Sequence, residues 1–183
     1  GALLIFDEVQ TGCGRIGTFS YAEVAGVSPS IISLAKSLGS GVPVGAVVLD
    51  DNVASSIEIG DQGSTFGGGM LAMAAVIATL ETIRDQGLQK HAVRIEERVR
   101  GALAGSVKEI RGHGCLLGID LGIPAAPVIK NLRGQGVLVG SSSDPHTIRI
   151  MPPINCDLDV VDDALELFGT ALEEIPNSYK ALA

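Results

Sequence analysis

The chain opens on an uninterrupted apolar run, Ala2-Leu3-Leu4-Ile5-Phe6, that stops at the carboxylate of Asp7. Apolar residues without alternation are the pattern of a strand buried on both faces, which needs neighbouring strands and covering helices. No cap or leader precedes the run, so the numbering is expected to open inside a larger protein. Residues 7–30 are rich in turn formers. Ile31-Ile32-Ser33-Leu34-Ala35 then reads as a short strand ending at Lys36, and Val44 to Leu49 as a further buried strand. Small and aliphatic residues from Gly69 to Arg84, followed by the stop signal Gly87, predict a buried helix.

Leu88, Ala92, Ile95, Val99 and Leu103 recur at steps of four and three between charged residues, which predicts an amphipathic surface helix. Beyond Gly105 the chain turns to short strands over Val107 to Ile110, Cys115 to Leu121, Val137 to Val139 and Thr147 to Ile150. A helix from about Ala125 to Leu132 separates the second and third of these. Val161, Ala164, Leu165, Phe168, Leu172 and Ile175 form one stripe of a closing helix that Asp157 can cap. A boundary near residue 88 divides the chain into domains 1–88 and 89–183. Strands alternate with helices in both, so the expected class is α/β.

Composition narrows the function. With 13 Lys+Arg against 21 Asp+Glu the formal charge is −8, which argues against a nucleic-acid surface. The longest apolar stretch, Met70 to Leu80, is shorter than the roughly 20 residues that cross a bilayer, so a soluble chain with no membrane partner is expected. Cys13, Cys115 and Cys156 lie far apart without metal-ligand spacing, as suits a reducing, cytoplasmic compartment. His91, His113 and His146 have no partners at ligand spacing, and no metal site is expected.

Gly12-Cys13-Gly14-Arg15-Ile16-Gly17 is a literal G-x-G-x-x-G. In a dinucleotide-binding domain its first glycine turns the chain directly from a strand into a helix. Here Asp7 to Thr11 intervene, Gly26 and Pro29 follow, and the basic Lys36 stands where an acidic residue would be required. The nicotinamide reading is set aside.

Three positions can carry chemistry. Asp7 ends a hydrophobic strand, where open α/β sheets bind ligands; its plain alternative is a turn carboxylate. Lys36 stands at a strand end beside the small-residue loop Ser37-Leu38-Gly39-Ser40-Gly41. A partly desolvated lysine becomes a nucleophile able to form a Schiff base, although most lysines are solvated charges. Gly63-Ser64-Thr65-Phe66-Gly67-Gly68-Gly69, just before a helix, offers hydroxyls and open N–H groups suited to phosphate; a flexible loop is the alternative.

The segments Phe6-Asp7-Glu8-Val9-Gln10-Thr11-Gly12, Leu34-Ala35-Lys36-Ser37-Leu38-Gly39 and Gly63-Ser64-Thr65-Phe66-Gly67-Gly68 resemble, in order and spacing, the class III pyridoxal-phosphate aminotransferases. The likeness continues through Ile110-Arg111-Gly112, Gly136-Val137-Leu138-Val139 and Ile148-Arg149-Ile150-Met151-Pro152-Pro153, covering nearly the whole chain. It implies a fold-type I transferase: part of the large-domain sheet plus the small carboxyl-terminal α/β domain. It also implies a pyridoxal 5'-phosphate cofactor. Lys36 would hold the cofactor and shuttle a proton, Asp7 would pair with the pyridine nitrogen, and Gln10 would approach the 3′-oxygen. Thr65, with Ser64 beside it, would bind the cofactor phosphate across a homodimer interface. Arg149 would take the substrate α-carboxylate, for which a planar guanidinium offers two parallel hydrogen bonds.

Gly69-Met70 stands where family members usually carry Asn-Pro. The family's upstream phosphate loop, the aromatic residue that stacks on the cofactor ring and most of the substrate pocket would precede this chain. Gly41-Val42-Pro43-Val44-Gly45-Ala46 looks most like the acetylornithine/ornithine type, which implies ping-pong transfer from an amino acid to an oxo acid such as 2-oxoglutarate. Transaminases of 4-aminobutyrate and ω-amino acids share the same motifs. A lyase, racemase or aminomutase on this scaffold, or a non-catalytic truncation acting as an interaction module, also stay open.

Overall fold

A computed structural model describes residues 1–174. Ile175, placed by the sequence on the closing helix, lies outside the described residues. The chain divides into two compact units, Gly1–Gln89 and a second that begins at Lys90.

The first unit is built on three strands, β1 (Ile5–Asp7), β2 (Ile31–Leu34) and β3 (Ala46–Leu49), side by side in that order. β1 and β2 run parallel, with Asp7 opposite Ser33, and β3 runs antiparallel to β2, with Leu34 opposite Ala46. The carboxyl ends of β1 and β2 therefore share one sheet edge. Between them lies α1 (Tyr21–Ala25), whose first turn is fixed by a capping box: Ser20 accepts from Ala22 and Glu23 reaches back to the Ser20 backbone. A 3-10 turn over Lys36–Gly39 follows β2, and a short α2 (Asp51–Ala54) capped by Asp50 follows β3. α3 (Met70–Asp85) packs against the 3-10 turn.

Two expectations of burial need correction. The opening run and Val44 to Leu49 were expected to be buried on both faces. Instead Leu3 and Ile5 are 59% and 60% exposed, and Val47 is 64% exposed. Among the described residues β1 and β3 are the outer strands of the sheet, and no described element covers the side chains of Leu3, Ile5 and Val47. α3, expected to be a buried helix, buries Ile83 alone, while Met70, Leu71 and Ile77 are exposed.

In the second unit, α4 (Leu88–Leu103) lays Ala92, Ile95, Val99 and Leu103 into the core. That core faces one side of a four-stranded antiparallel sheet ordered β4-β5-β7-β6. The strands are β4 (Glu109–His113), β5 (Leu116–Asp120), β6 (Gly140–Ser141) and β7 (Thr147–Ile150). Leu117, Ile119 and Ile148 point to the core, together with Val128 and Leu132 of α5 (Ala126–Gly134) and Phe168 of α6 (Leu158–Glu173). Asp157 caps α6 through the Asp159 N–H, as the sequence predicts. The strand expected at Val137 to Val139 instead forms at Gly140–Ser141, and that expected at Val107 to Ile110 runs over Glu109–His113. Pairing rather than apolarity decides: β6 needs Arg149 and Ile148 opposite it, and β4 needs Asp120 to Leu116.

The other side of this sheet is polar. Glu109, Arg111, Asp120 and Thr147 project from it, alternating with the core residues, as one-sided antiparallel sheets require. Among the described residues no helix is long and apolar enough to cross a membrane.

Candidate active site

The shared sheet edge of the first unit brings Asp7 and Lys36 together. Asp7 is the last residue of β1; its Oδ1 accepts from Val9 N at 3.1 Å and from the hydroxyl of its cross-strand partner Ser33 at 3.0 Å. Those two bonds, and then the positive charge of Lys36, hold its carboxyl below the ordinary carboxylate range although partial desolvation opposes them. Asp7 is thus kept anionic, and both bonds fall on Oδ1, leaving Oδ2 to face a further donor.

Lys36 follows β2 directly and opens the 3-10 turn with φ +43°, a left-handed conformation that costs a non-glycine residue energy. Cys13 (φ +58°) and Ser40 (φ +46°) share that unusual backbone in the same unit. Strain of this kind persists where surrounding structure over-determines it. Here the surroundings are close. A Cβ on Gly12 would stand 2.7 Å from Leu34 Cδ2 and 2.9 Å from the Glu8 carbonyl, so only glycine fits. The Cys13 thiol, buried and pushed up by that burial, hydrogen-bonds Ser37, the residue after Lys36.

Gln10 is half-buried in the turn that follows Asp7. Ser64 and Thr65 lie in a separate exposed turn before α3, closed by the Gly67 and Gly69 amides donating to Ser64 and Phe66 carbonyls. The G-x-G-x-x-G segment leads into no helix: turns, with Gly14 and Gly17 at positive φ, run from Val9 to Ile16, and α1 starts at Tyr21.

Arg149 stands on β7 of the second unit, opposite Gly118 on one side and Gly140 on the other. Neither neighbour has a side chain, so the guanidinium lies over Gly140; a Cβ there would come within 3.1 Å of Arg149 Nε. It lines a cleft of about 450 Å³ with Arg111, Ser141, Ser142, Ser143 and Thr147. The two arginines differ electrically. Arg111 bonds Glu109 at 2.8 Å and Thr147 at 3.0 Å, with Asp120 and Asp144 within 3.7 Å, so its charge is already matched. Arg149 makes no ion pair among the described residues and is exposed, which leaves it the cation able to take an incoming carboxylate.

Two contributors escape the sequence reading. Ser33 positions Asp7. Glu8, 2% exposed, folds inward and accepts from Ser20 Oγ, Tyr21 N and Thr11 Oγ1. Its signal was the period of two: Phe6 and Glu8 face one way and Asp7 the other. The histidines are structural where they bond at all, His91 Nε2 donating to the Cys156 carbonyl at 2.7 Å and Nδ1 accepting from Arg94.

The donor set fits pyridoxal phosphate as far as this chain extends. A carboxylate whose pKa is lowered, suited to a protonated ring nitrogen, and an exposed amine, suited to an aldehyde, stand at one sheet edge.

Comparison with known proteins agrees. The aminotransferase class-III family model matches residues 1–172. The acetylornithine aminotransferase of Methanothermobacter thermautotrophicus is 38% identical over 179 residues, 94% of this chain and 46% of that protein. That of Streptomyces coelicolor is 44% identical over 180 residues, 95% of this chain and 44% of that protein. An ornithine aminotransferase from Toxoplasma gondii, solved with pyridoxal phosphate partially occupying its active site, superposes with a TM-score of 0.86. It is 30% identical and covers 98% of this chain and 44% of that one. The chain thus spans about half the length of the relatives it matches.

Proposed function

The chain belongs to the class-III aminotransferases, a family that uses pyridoxal phosphate, and from that premise we propose that the protein carrying it moves an amino group from an acetylornithine- or ornithine-like amino acid to 2-oxoglutarate by a ping-pong mechanism. The observation that carries this reading is the placing of Asp7 and Lys36 at the carboxyl edge of two parallel strands, where the charge of Lys36 acts on the Asp7 carboxylate. Residues 1–88 are then the end of a large cofactor domain and 89–183 most of a small one.

When bound, pyridoxal phosphate supplies an electron sink for the substrate carbon that loses its proton. Lys36 Nζ would hold the cofactor, and its amine would move the proton at the substrate carbon. Asp7, its pKa lowered by the Val9 and Ser33 hydrogen bonds, would pair with the protonated pyridine nitrogen and favour keeping that proton on the ring. Gln10 would approach the cofactor's 3′-oxygen. Thr65, with Ser64 beside it, would bind the cofactor phosphate across a homodimer interface. Arg149 orients the substrate through its α-carboxylate. Residues from the remaining half of the relatives' length complete the pocket. The three cysteines, far apart in the chain and without metal-ligand spacing, suit a cytoplasmic enzyme.

The test uses the full-length gene product. Mixed with pyridoxal phosphate it is expected to show a visible absorption band that Lys36→Ala abolishes, and with donor and 2-oxoglutarate to form glutamate stoichiometrically. No band in the wild type, or a band surviving Lys36→Ala, overturns the cofactor assignment. Turnover without consumption of the oxo acid points instead to a lyase, racemase or aminomutase.

A further inference from the structure

Glu8 is the one buried carboxylate of the first unit and takes no part in the chemistry proposed above. No ion pair satisfies it among the described residues; hydroxyl and amide donors do. Oε1 accepts from Ser20 Oγ and, at 2.8 Å, from Tyr21 N; Oε2 accepts from the same Tyr21 N at 2.8 Å and from Thr11 Oγ1 at 3.1 Å. Its backbone is held as firmly, since Glu8 N donates to Ser33 O at 3.0 Å and Glu8 O accepts from Gly12 N at 2.9 Å. A buried carboxylate costs several kcal/mol unless fully bonded, so a neutral residue would serve if filling space were the task.

The connections run to both halves of the site. On one side Glu8 lies between Asp7 and Val9, whose N–H holds Asp7 Oδ1. On the other, the turn closed by the Glu8 carbonyl presses Gly12 against Leu34 and Cys13 against Ser37, so it buttresses the strained Lys36 turn. The opposite wall of the turn is tied down by Cys13 N donating to Phe19 O at 2.9 Å.

We propose that Glu8 is a positioning residue: its buried carboxylate pins the 8–21 turn, and that turn sets the Asp7 carboxylate and the Lys36 amine in register to receive the cofactor. The proposal rests on the cofactor reading given above and predicts that Glu8 governs cofactor affinity without touching the cofactor.

The experiment measures two quantities in the full-length protein: the dissociation constant for pyridoxal phosphate, and the rate at which individual cysteines of the cofactor-free form react with a thiol reagent, read by peptide mass mapping. Cys13, 1% exposed, reports the turn; Cys115, 0% exposed in the second unit, reports unfolding there. Glu8→Ala should label Cys13 at least about tenfold faster, leave Cys115 protected and weaken cofactor binding at least about tenfold. Glu8→Gln, which keeps one acceptor oxygen and can donate to Thr11, should restore most of both. If Glu8→Ala labels Cys115 as fast as the unfolded chain, Thr11→Val, which removes a single donor, decides: Cys13 labelling and the dissociation constant must rise together. Cys13 exposed with unchanged cofactor affinity overturns the proposal, as does Cys13 still protected in both variants. A wild type that fails to bind pyridoxal phosphate through Lys36 overturns the cofactor reading instead.

Discussion

Replacing Gly140 with alanine tests the role of Arg149 without touching its charge. The new Cβ would stand 3.1 Å from Arg149 Nε, 3.4 Å from Nη2 and 3.4 Å from the Arg149 carbonyl. The carbonyl is held in the β6–β7 pairing, so the guanidinium must yield, by a few tenths of an ångström. A planar guanidinium grips a carboxylate by two parallel charge-assisted bonds, and tilting it spoils at least one. A hydrogen bond to a charged group contributes about 1.5–3 kcal/mol, and partial loss of one costs roughly 1–2 kcal/mol, or about 5- to 30-fold in affinity. The same carboxylate is bound in ground and transition states, so the loss is expected in KM for donor and oxo acid with kcat nearly unchanged. Steady-state kinetics of the full-length protein measure both. Gly101→Ala is the control: it lies in α4 with nothing within 4 Å of the added Cβ, and should gain up to about 1 kcal/mol of helix stability with KM unmoved. A Gly140→Ala enzyme with wild-type KM for both substrates would refute the placing of the carboxylate at Arg149.

Three further outcomes follow from the second unit. Gly112→Ala forces φ +98° on alanine and brings its Cβ to 2.2 Å from the Leu116 carbonyl, so the β4–β5 hairpin should lose about 3 kcal/mol or more, seen as a lower urea midpoint. Ile95→Ala, at a fully buried core position, should cost about 2–5 kcal/mol in the same measurement. Asp144 accepts from His146 N and Thr147 Oγ1, which lower its pKa from 3.8 to about 2. Since the folded-state value is depressed, its contribution is complete above the unfolded value and disappears as pH falls through the folded one. Asp144→Asn should therefore flatten the loss of stability between roughly pH 5 and 2 in urea titrations, and an unchanged slope would contradict the assignment.

Legibility tracked the reach of each interaction. The stripe from Ala92 to Leu103 and the Asp157 cap depend on neighbours within a few residues, and both stand where periodicity put them. β6 was displaced from Val137–Val139 to Gly140–Ser141 because a strand forms where a partner offers its backbone, here β7, and that choice is made outside the local sequence. The exposure of Val47 and Ile5 was equally unreadable, because apolar strands look alike whether central or outermost.

At the site the same division has a chemical edge. Lys36 and Asp7 could be read as chemistry-bearing because strand ends are where parallel sheets expose side chains. For Glu8 the period of two told only that it faces away from Asp7; that its carboxylate is buried is set by donors at Thr11, Ser20 and Tyr21, which fold back only once α1 is in place. A carboxylate beside a cofactor must be anionic and correctly aimed. For Asp7 the first requirement is met by Val9 and Ser33 directly; the second depends on Val9 staying put, and Val9 is joined to Asp7 through Glu8, whose own carboxylate is buried. Two adjacent acids thus divide the labour, one facing the ligand and one facing the fold, which is why substituting the buried one should change affinity at a centre it does not touch.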